Sequence, residues 1–124
     1  MTSDTVKVPR GFYLLEEFDK GVAGLENGKI SWGLENPEDF SLTNWHGLIV
    51  ANTDDMIRFK IICGEDYPDK PPKVFIKDFK DPNIVDTHTG EIHPSKLPCL
   101  AKWKYGMTIA DVLQQFNSTY LRPH

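Results

Sequence analysis

Two thiols and one cluster of carboxylates and imidazoles are the side chains of this sequence with the most reactive potential. A cysteine thiolate can attack an activated carbonyl and hold the acyl group as a thioester. Cys63 and Cys99 form no CxxC pair and fall far short of a disulfide framework, so both are expected as free thiols in a reducing compartment. Asp86, His88, Glu91 and His93 are metal-competent and close together in sequence. Their spacing matches no strong zinc signature, and polar loops of this composition usually hold no ion, so no metal and no cofactor are assigned.

These residues must be positioned by a chain of 124 residues, the size of one compact domain, read here as residues 6–124 with a flexible stretch at 1–5. A net charge of -4 argues against binding a phosphate backbone, and direct nucleic-acid contact is not expected. No apolar run approaches the ~20 residues needed to cross a bilayer. Met1-Thr2-Ser3-Asp4 lacks the basic and apolar regions of a signal peptide, so no membrane partner is expected and the cytoplasm and nucleus are the expected locations.

The spacing of Gly11, Leu14, Leu15 and Phe18 predicts a helix from about Pro9 to Lys20, with a stop at Gly21 and those four residues as its core stripe. Period-2 segments Ile30–Leu34, Trp45–Val50 and Met56–Cys63, then Lys73–Ile76 after a proline-rich bend, predict a four-stranded antiparallel meander. A long irregular stretch runs from Lys77 to about Gly106. Thr108, with Asp111 three residues on, predicts the N-cap of a second helix whose buried stripe is Ile109, Val112, Leu113, Phe116 and Tyr120. The fold class is α+β, with helices packed on a sheet. If Ile30, Trp32, Ile49, Ile57, Phe59 and Ile61 point inward, Ser31, His46, Leu48 and Met56 share the outer face.

Several motifs fall in order along this layout. Tyr67-Pro68-Asp69-Lys70-Pro71-Pro72 resembles the YPxxPP signature of ubiquitin-conjugating enzymes, and Asp81-Pro82-Asn83 resembles their His-Pro-Asn motif with Asp for His. Gly90-Glu91-Ile92 resembles the run that precedes their nucleophilic cysteine, but His93 follows it. Leu97-Pro98-Cys99-Leu100-Ala101-Lys102-Trp103 resembles a segment of the inactive variants of that family. So do the opening Val6–Glu17 and Ser31-Trp32-Gly33-Leu34-Glu35, which match the subfamily that pairs with an active enzyme to make ubiquitin chains linked through the lysine at position sixty-three of ubiquitin.

The resemblance implies a ubiquitin-conjugating-enzyme-like fold in which the long loop covers a degenerate active site and the two C-terminal helices of active members are lacking. It implies no catalytic residue: His93 stands where the cysteine would be, and Asn83 is the remnant of an oxyanion-stabilising asparagine, left to hold its loop through side-chain hydrogen bonds. It implies two partners, an active conjugating enzyme and a non-covalent acceptor ubiquitin, in DNA damage tolerance or signalling. Phe12 matches the phenylalanine that enters a pocket of the active enzyme, with Val8, Asn36, Glu38 and Phe40 bordering that interface. Ser31, His46, Leu48 and Met56 coincide with the acceptor-ubiquitin surface, although close relatives tend to carry a small hydroxyl residue where His46 stands. Two alternatives remain open: an active enzyme using Cys99, and a peptide- or ubiquitin-binding sorting module of the same fold.

Overall fold

The computed structural model describes residues 8–51, 55–77, 79 and 81–121. The expected flexible stretch at 1–5, part of the 51–55 turn and the last residues of the expected domain lie outside them. The chain folds as helix α1 (Arg10–Ala23), strands β1 (Ile30–Leu34), β2 (Asn44–Val50), β3 (Met56–Ile62) and β4 (Lys73–Ile76), a one-turn helix α2 (Pro98–Ala101) and helix α3 (Ile109–Phe116). The strands form one antiparallel sheet in sequence order, as the alternating pattern predicts. Register rows Ile30↔Ile49↔Ile57 and Trp32↔Gly47↔Phe59↔Ile76 supply the inner face. Ile57 is only half-buried, whereas Trp45 joins the inner set as one of its largest fully buried side chains.

Both long helices pack on that inner face. Leu113 of α3 lies over Gly47, where a Cβ would approach it to 3.2 Å, and Phe116 meets Phe59 edge-on at 5.2 Å. Leu14, Ile49, Ile61, Ile109, Val112 and Leu113 are fully enclosed, each contributing about 1.5–3 kcal/mol by leaving water. Thr108 and Asp111 form the expected reciprocal cap, with the Thr108 N–H donating to Asp111 Oδ2 at 2.9 Å. After α3 the chain widens into a π-helical turn over Asn117–Leu121, and Tyr120 is half-buried.

Helix α1 departs from its sequence expectation in length and phase. It runs past Gly21 to Ala23, because Gly21 is a packing position: a Cβ there would lie 2.2 Å from the Trp32 carbonyl oxygen. The turn away from the helix comes at Gly24, with φ of 76°. The buried stripe is Leu14, Glu17 and Gly21, with Phe18 half-buried against Trp45. Gly11 and Leu15, expected inside, are exposed. Counting a carboxylate as a surface residue rotated the predicted stripe away from its true centre.

Candidate functional site

The loop after β4 is built as a second layer on that strand's edge. Ile76 N–H donates to the Gly90 carbonyl (2.9 Å), Ile92 N–H donates to Val74 (2.8 Å), and Val85 bridges Ile92. Gly90 has φ of 80°, and a Cβ there would sit 2.7 Å from the Ile76 oxygen, so only glycine permits this approach. The next residues emerge beside the Asp81-Pro82-Asn83 segment: His93 N–H donates to the Ile84 carbonyl at 2.9 Å, and Pro82 and His93 line one shallow cleft of about 230 Å³. The sequence register thus brings an imidazole to the mouth of this cleft.

Other polar side chains here are engaged locally. Asp81 Oδ1 accepts from the Asn83 N–H at 2.9 Å, so the loop-holding role expected of Asn83 belongs to Asp81, and Asn83 itself is exposed. Asp86 Oδ1 accepts from the backbone of His88 (2.7 Å) and Thr89, bonds that hold its carboxyl below the usual range. Among the described residues no three His, Cys, Asp or Glu side chains are grouped to hold a metal ion.

Neither thiol is poised for attack. Cys99 is buried on α2, where its N–H donates to Gln115 Oε1 at 2.7 Å. Burial, then the charge of Asp111, pushes its thiol up to about 11, away from the thiolate form at neutral pH. Cys63 is wholly enclosed and its thiol is raised further, again mainly by burial.

Glu17 is the buried polar centre of the molecule. At 2 % exposure its Oε1 accepts from the Ile109 N–H at the start of α3 (2.5 Å), and Oε2 accepts from the Tyr67 hydroxyl. Its carbonyl accepts from Trp32 Nε1. Tyr67 in turn stacks near Trp103, whose Nε1 donates to Pro68, so the YPxxPP and Leu-Ala-Lys-Trp segments interlock around α1. Desolvation pushes the Glu17 carboxyl up to about 7, against the opposing pull of those hydrogen bonds.

The start of α1 presents the opposite arrangement. Arg10 fastens it, donating to the carbonyls of Ser41 and Cys63 (both 2.7 Å) and Gly64 (3.1 Å), while the Tyr105 hydroxyl accepts from the Val8 N–H. On this fixed base Phe12 is 65 % exposed, Val8 is exposed beyond it, and Phe40 stands 94 % exposed one residue before the Arg10 contact at Ser41. Asp39 shapes the intervening loop by accepting from Ser41, Thr43 and Asn44, bonds that lower its pKa, and Asn36 Oδ1 accepts from the Glu38 N–H. Asn36 and Glu38 are exposed on this loop.

On the outer sheet face Ser31 pairs with Leu48, and His46 lies opposite Gly33, with its ring about 3.6 Å from where a Cβ would be. A groove of about 250 Å³ is lined by Ser31, His46 and Leu48 together with Glu35, Arg58 and Lys60. Met56, exposed and paired with Val50, lies on the same face outside that groove.

No family profile matches the chain. Ubiquitin-conjugating enzyme E2 variant 1D of Arabidopsis thaliana is 34 % identical over 97 % of this chain and 86 % of its own length. The Schizosaccharomyces pombe ubiquitin-conjugating enzyme spm2 is 39 % identical, covering 86 % and 81 %, and the Saccharomyces cerevisiae variant MMS2 is 37 % identical, covering 94 % and 88 %. The chain belongs to the ubiquitin-conjugating enzyme variant family. Solved ubiquitin-conjugating enzymes share its fold: human E2 G1 superposes with a TM-score of 0.74 at 23 % identity, over 95 % of this chain and all of that one. A Toxoplasma gondii E2 domain gives 0.69 at 22 %, over 91 % and 76 %.

For this variant, sequence reasoning named the exposed Val8, Phe12 and Phe40 and missed what fixes their backbone. Arg10 lies within the opening resemblance, but nothing in the sequence signals its three carbonyl contacts, and Asp39 with Ser41 two residues on is only a local turn signal. Leu15, at 50 % exposure, and Val22 extend the apolar surface of α1 beyond Phe12, which a correctly phased helical wheel would have found. Arg58 and Lys60 were legible from strand parity, being two and four residues from Met56.

Proposed function

We propose that this variant is a non-catalytic subunit that pairs with an active ubiquitin-conjugating enzyme and orients an acceptor ubiquitin for lysine-sixty-three-linked chain synthesis. The observation that carries the reading is the occupant of the position after Gly90-Glu91-Ile92: an imidazole stands there, and both thiols are buried and protonated. Without a thiolate the chain has no group to carry ubiquitin as a thioester. The bond-making step then belongs to the partner: a lysine amine of acceptor ubiquitin attacks the partner's thioester carbonyl, the isopeptide bond forms and the partner's thiolate leaves.

The contribution of this chain is to hold that amine in line with the carbonyl. Proximity and orientation of this kind supply several kcal/mol of a barrier. Val8, Phe12, Asn36, Glu38 and Phe40 form the partner face, with Phe12 as its aromatic anchor, and Ser31, His46, Leu48 and Met56 receive the acceptor. The same reading assigns the complex to the cytoplasm and nucleus, serving DNA damage tolerance or signalling.

Reconstitution tests this. With activating enzyme, ATP, ubiquitin and a cognate active conjugating enzyme, adding this chain is expected to switch on lysine-sixty-three-linked chains. Synthesis should fail with ubiquitin lacking that lysine and with the Phe12→Ala variant. Chains of unchanged linkage and amount when the variant is omitted would refute the proposal.

A further inference from the structure

A second feature of the outer sheet face, toward β4, adjoins the acceptor patch and shares Lys60 and Lys77 with its groove. Parity turns Arg58, Lys60 and Ile62 of β3 outward together with Lys73 and Phe75 of β4. Lys60 lies opposite Phe75 and Ile62 opposite Lys73, while Lys77 N–H donates to the Arg58 carbonyl at 3.2 Å. The result is a checkerboard in which each apolar side chain is flanked by cations, on a chain whose net charge is -4. Lys60, Lys73 and Lys77 are exposed and have no ion-pair partner among the described residues.

The checkerboard opens into a groove of about 510 Å³ between Lys60, Lys77, Phe75 and Phe79 on one side and the 86–90 turn on the other. Among the described residues the nearby carboxylates are Asp86, whose Oδ1 is committed to its own turn, Glu91, whose backbone bridges Phe75, and Glu35, which lines the adjoining groove with Lys60 and Lys77. An apolar floor with a cationic rim is complementary to a chain that alternates apolar and acidic side chains.

We propose that this groove is a docking site for an extended acidic peptide segment of a partner protein, which seats an aliphatic side chain on Ile62, Phe75 and Phe79 and sets carboxylates against Lys60, Lys73 and Lys77. The site is separate from the partner face of α1, and binding there requires neither Phe12 nor an active conjugating enzyme.

A fluorescein-labelled peptide of alternating leucine and aspartate, titrated with the full chain, tests it by anisotropy. Saturable binding is expected, weakening as salt is raised, with perturbed amide signals confined to Lys60, Ile62, Phe75 and Lys77 in a spectrum of the unaltered chain. The double variant Lys60→Glu, Lys77→Glu should weaken binding at least about tenfold while melting as the parent does, and Phe12→Ala should leave it unchanged. Equal binding of a leucine–lysine peptide, indifference to the double variant, or perturbations on α1 would overturn the proposal. Displacement of the peptide by ubiquitin would do so too, by making the groove part of the acceptor surface. Peptide binding and its loss in the double variant are read without the reconstitution, so a failure of either can be told from a failure of the proposed function.

Discussion

The cleft beside His93 and the first turn of α1 use their side chains in opposite ways. In the cleft, Asp81 and Asp86 are spent on their own turns, and Cys99 is withdrawn into the core where burial keeps it protonated. At α1, Arg10 is spent on three carbonyls so that Val8, Phe12 and Phe40 can stand in solvent. An apolar ring held exposed on a fixed base is an expense that a binding partner repays, whereas an imidazole at a cleft mouth with no thiolate near it has no ubiquitin to carry. On the function proposed above, the difference teaches that this variant works by presenting surface and not by reacting.

The comparison breaks most easily at Phe12. Phe12→Ala should weaken association with the active partner by about 2–4 kcal/mol, the range of an aromatic hot spot, as read by calorimetry. A loss below about tenfold would mean that α1 is not the anchor. The packing of α1 against the rest of the fold depends on Glu17. Its folded pKa of about 7 exceeds the ordinary 4.5, so its stabilising contribution is full below pH ~4.5 and is lost as pH rises to about 7. That loss is up to about 3 kcal/mol, and thermal melts of Glu17→Gln should be flatter across this window than those of the parent. A parent slope of the opposite sign would show a carboxylate stabilised by its donors at Tyr67 and Ile109.

A smaller effect belongs to the outer face. Leu48→Asp should raise the acceptor-ubiquitin concentration needed for half-maximal synthesis about tenfold while leaving partner affinity intact. Equal loss of both would place Leu48 in the fold and not on a separate surface. Smallest of all, Cys99→Ala and His93→Ala should change chain synthesis with the partner by less than about twofold, because the proposed function gives neither side chain a reaction.

The strands, the sheet parity and the cap at Thr108 were legible because alternation and capping are local signals. Gly90 was singled out by the resemblance of Gly90-Glu91-Ile92 to a family motif, and its close approach to the Ile76 carbonyl shows why glycine stands there. The phase of α1 was not legible: Glu17 is buried only because Tyr67 and the first N–H of α3 converge on it from 50 and 92 residues away. Nor could sequence show that Arg10 would reach three carbonyls of two other segments, or that the 86–90 turn would close a groove over β4. Such placements depend on contacts that form only when the chain has folded.

The most direct test of the account is the fate of this chain alone with activating enzyme, ATP and ubiquitin on a non-reducing gel. The account predicts no thiol-sensitive adduct at any time. A reducible ubiquitin adduct that disappears in Cys99→Ala would contradict it, by showing that the buried thiol is delivered to the cleft and the chain is an enzyme after all.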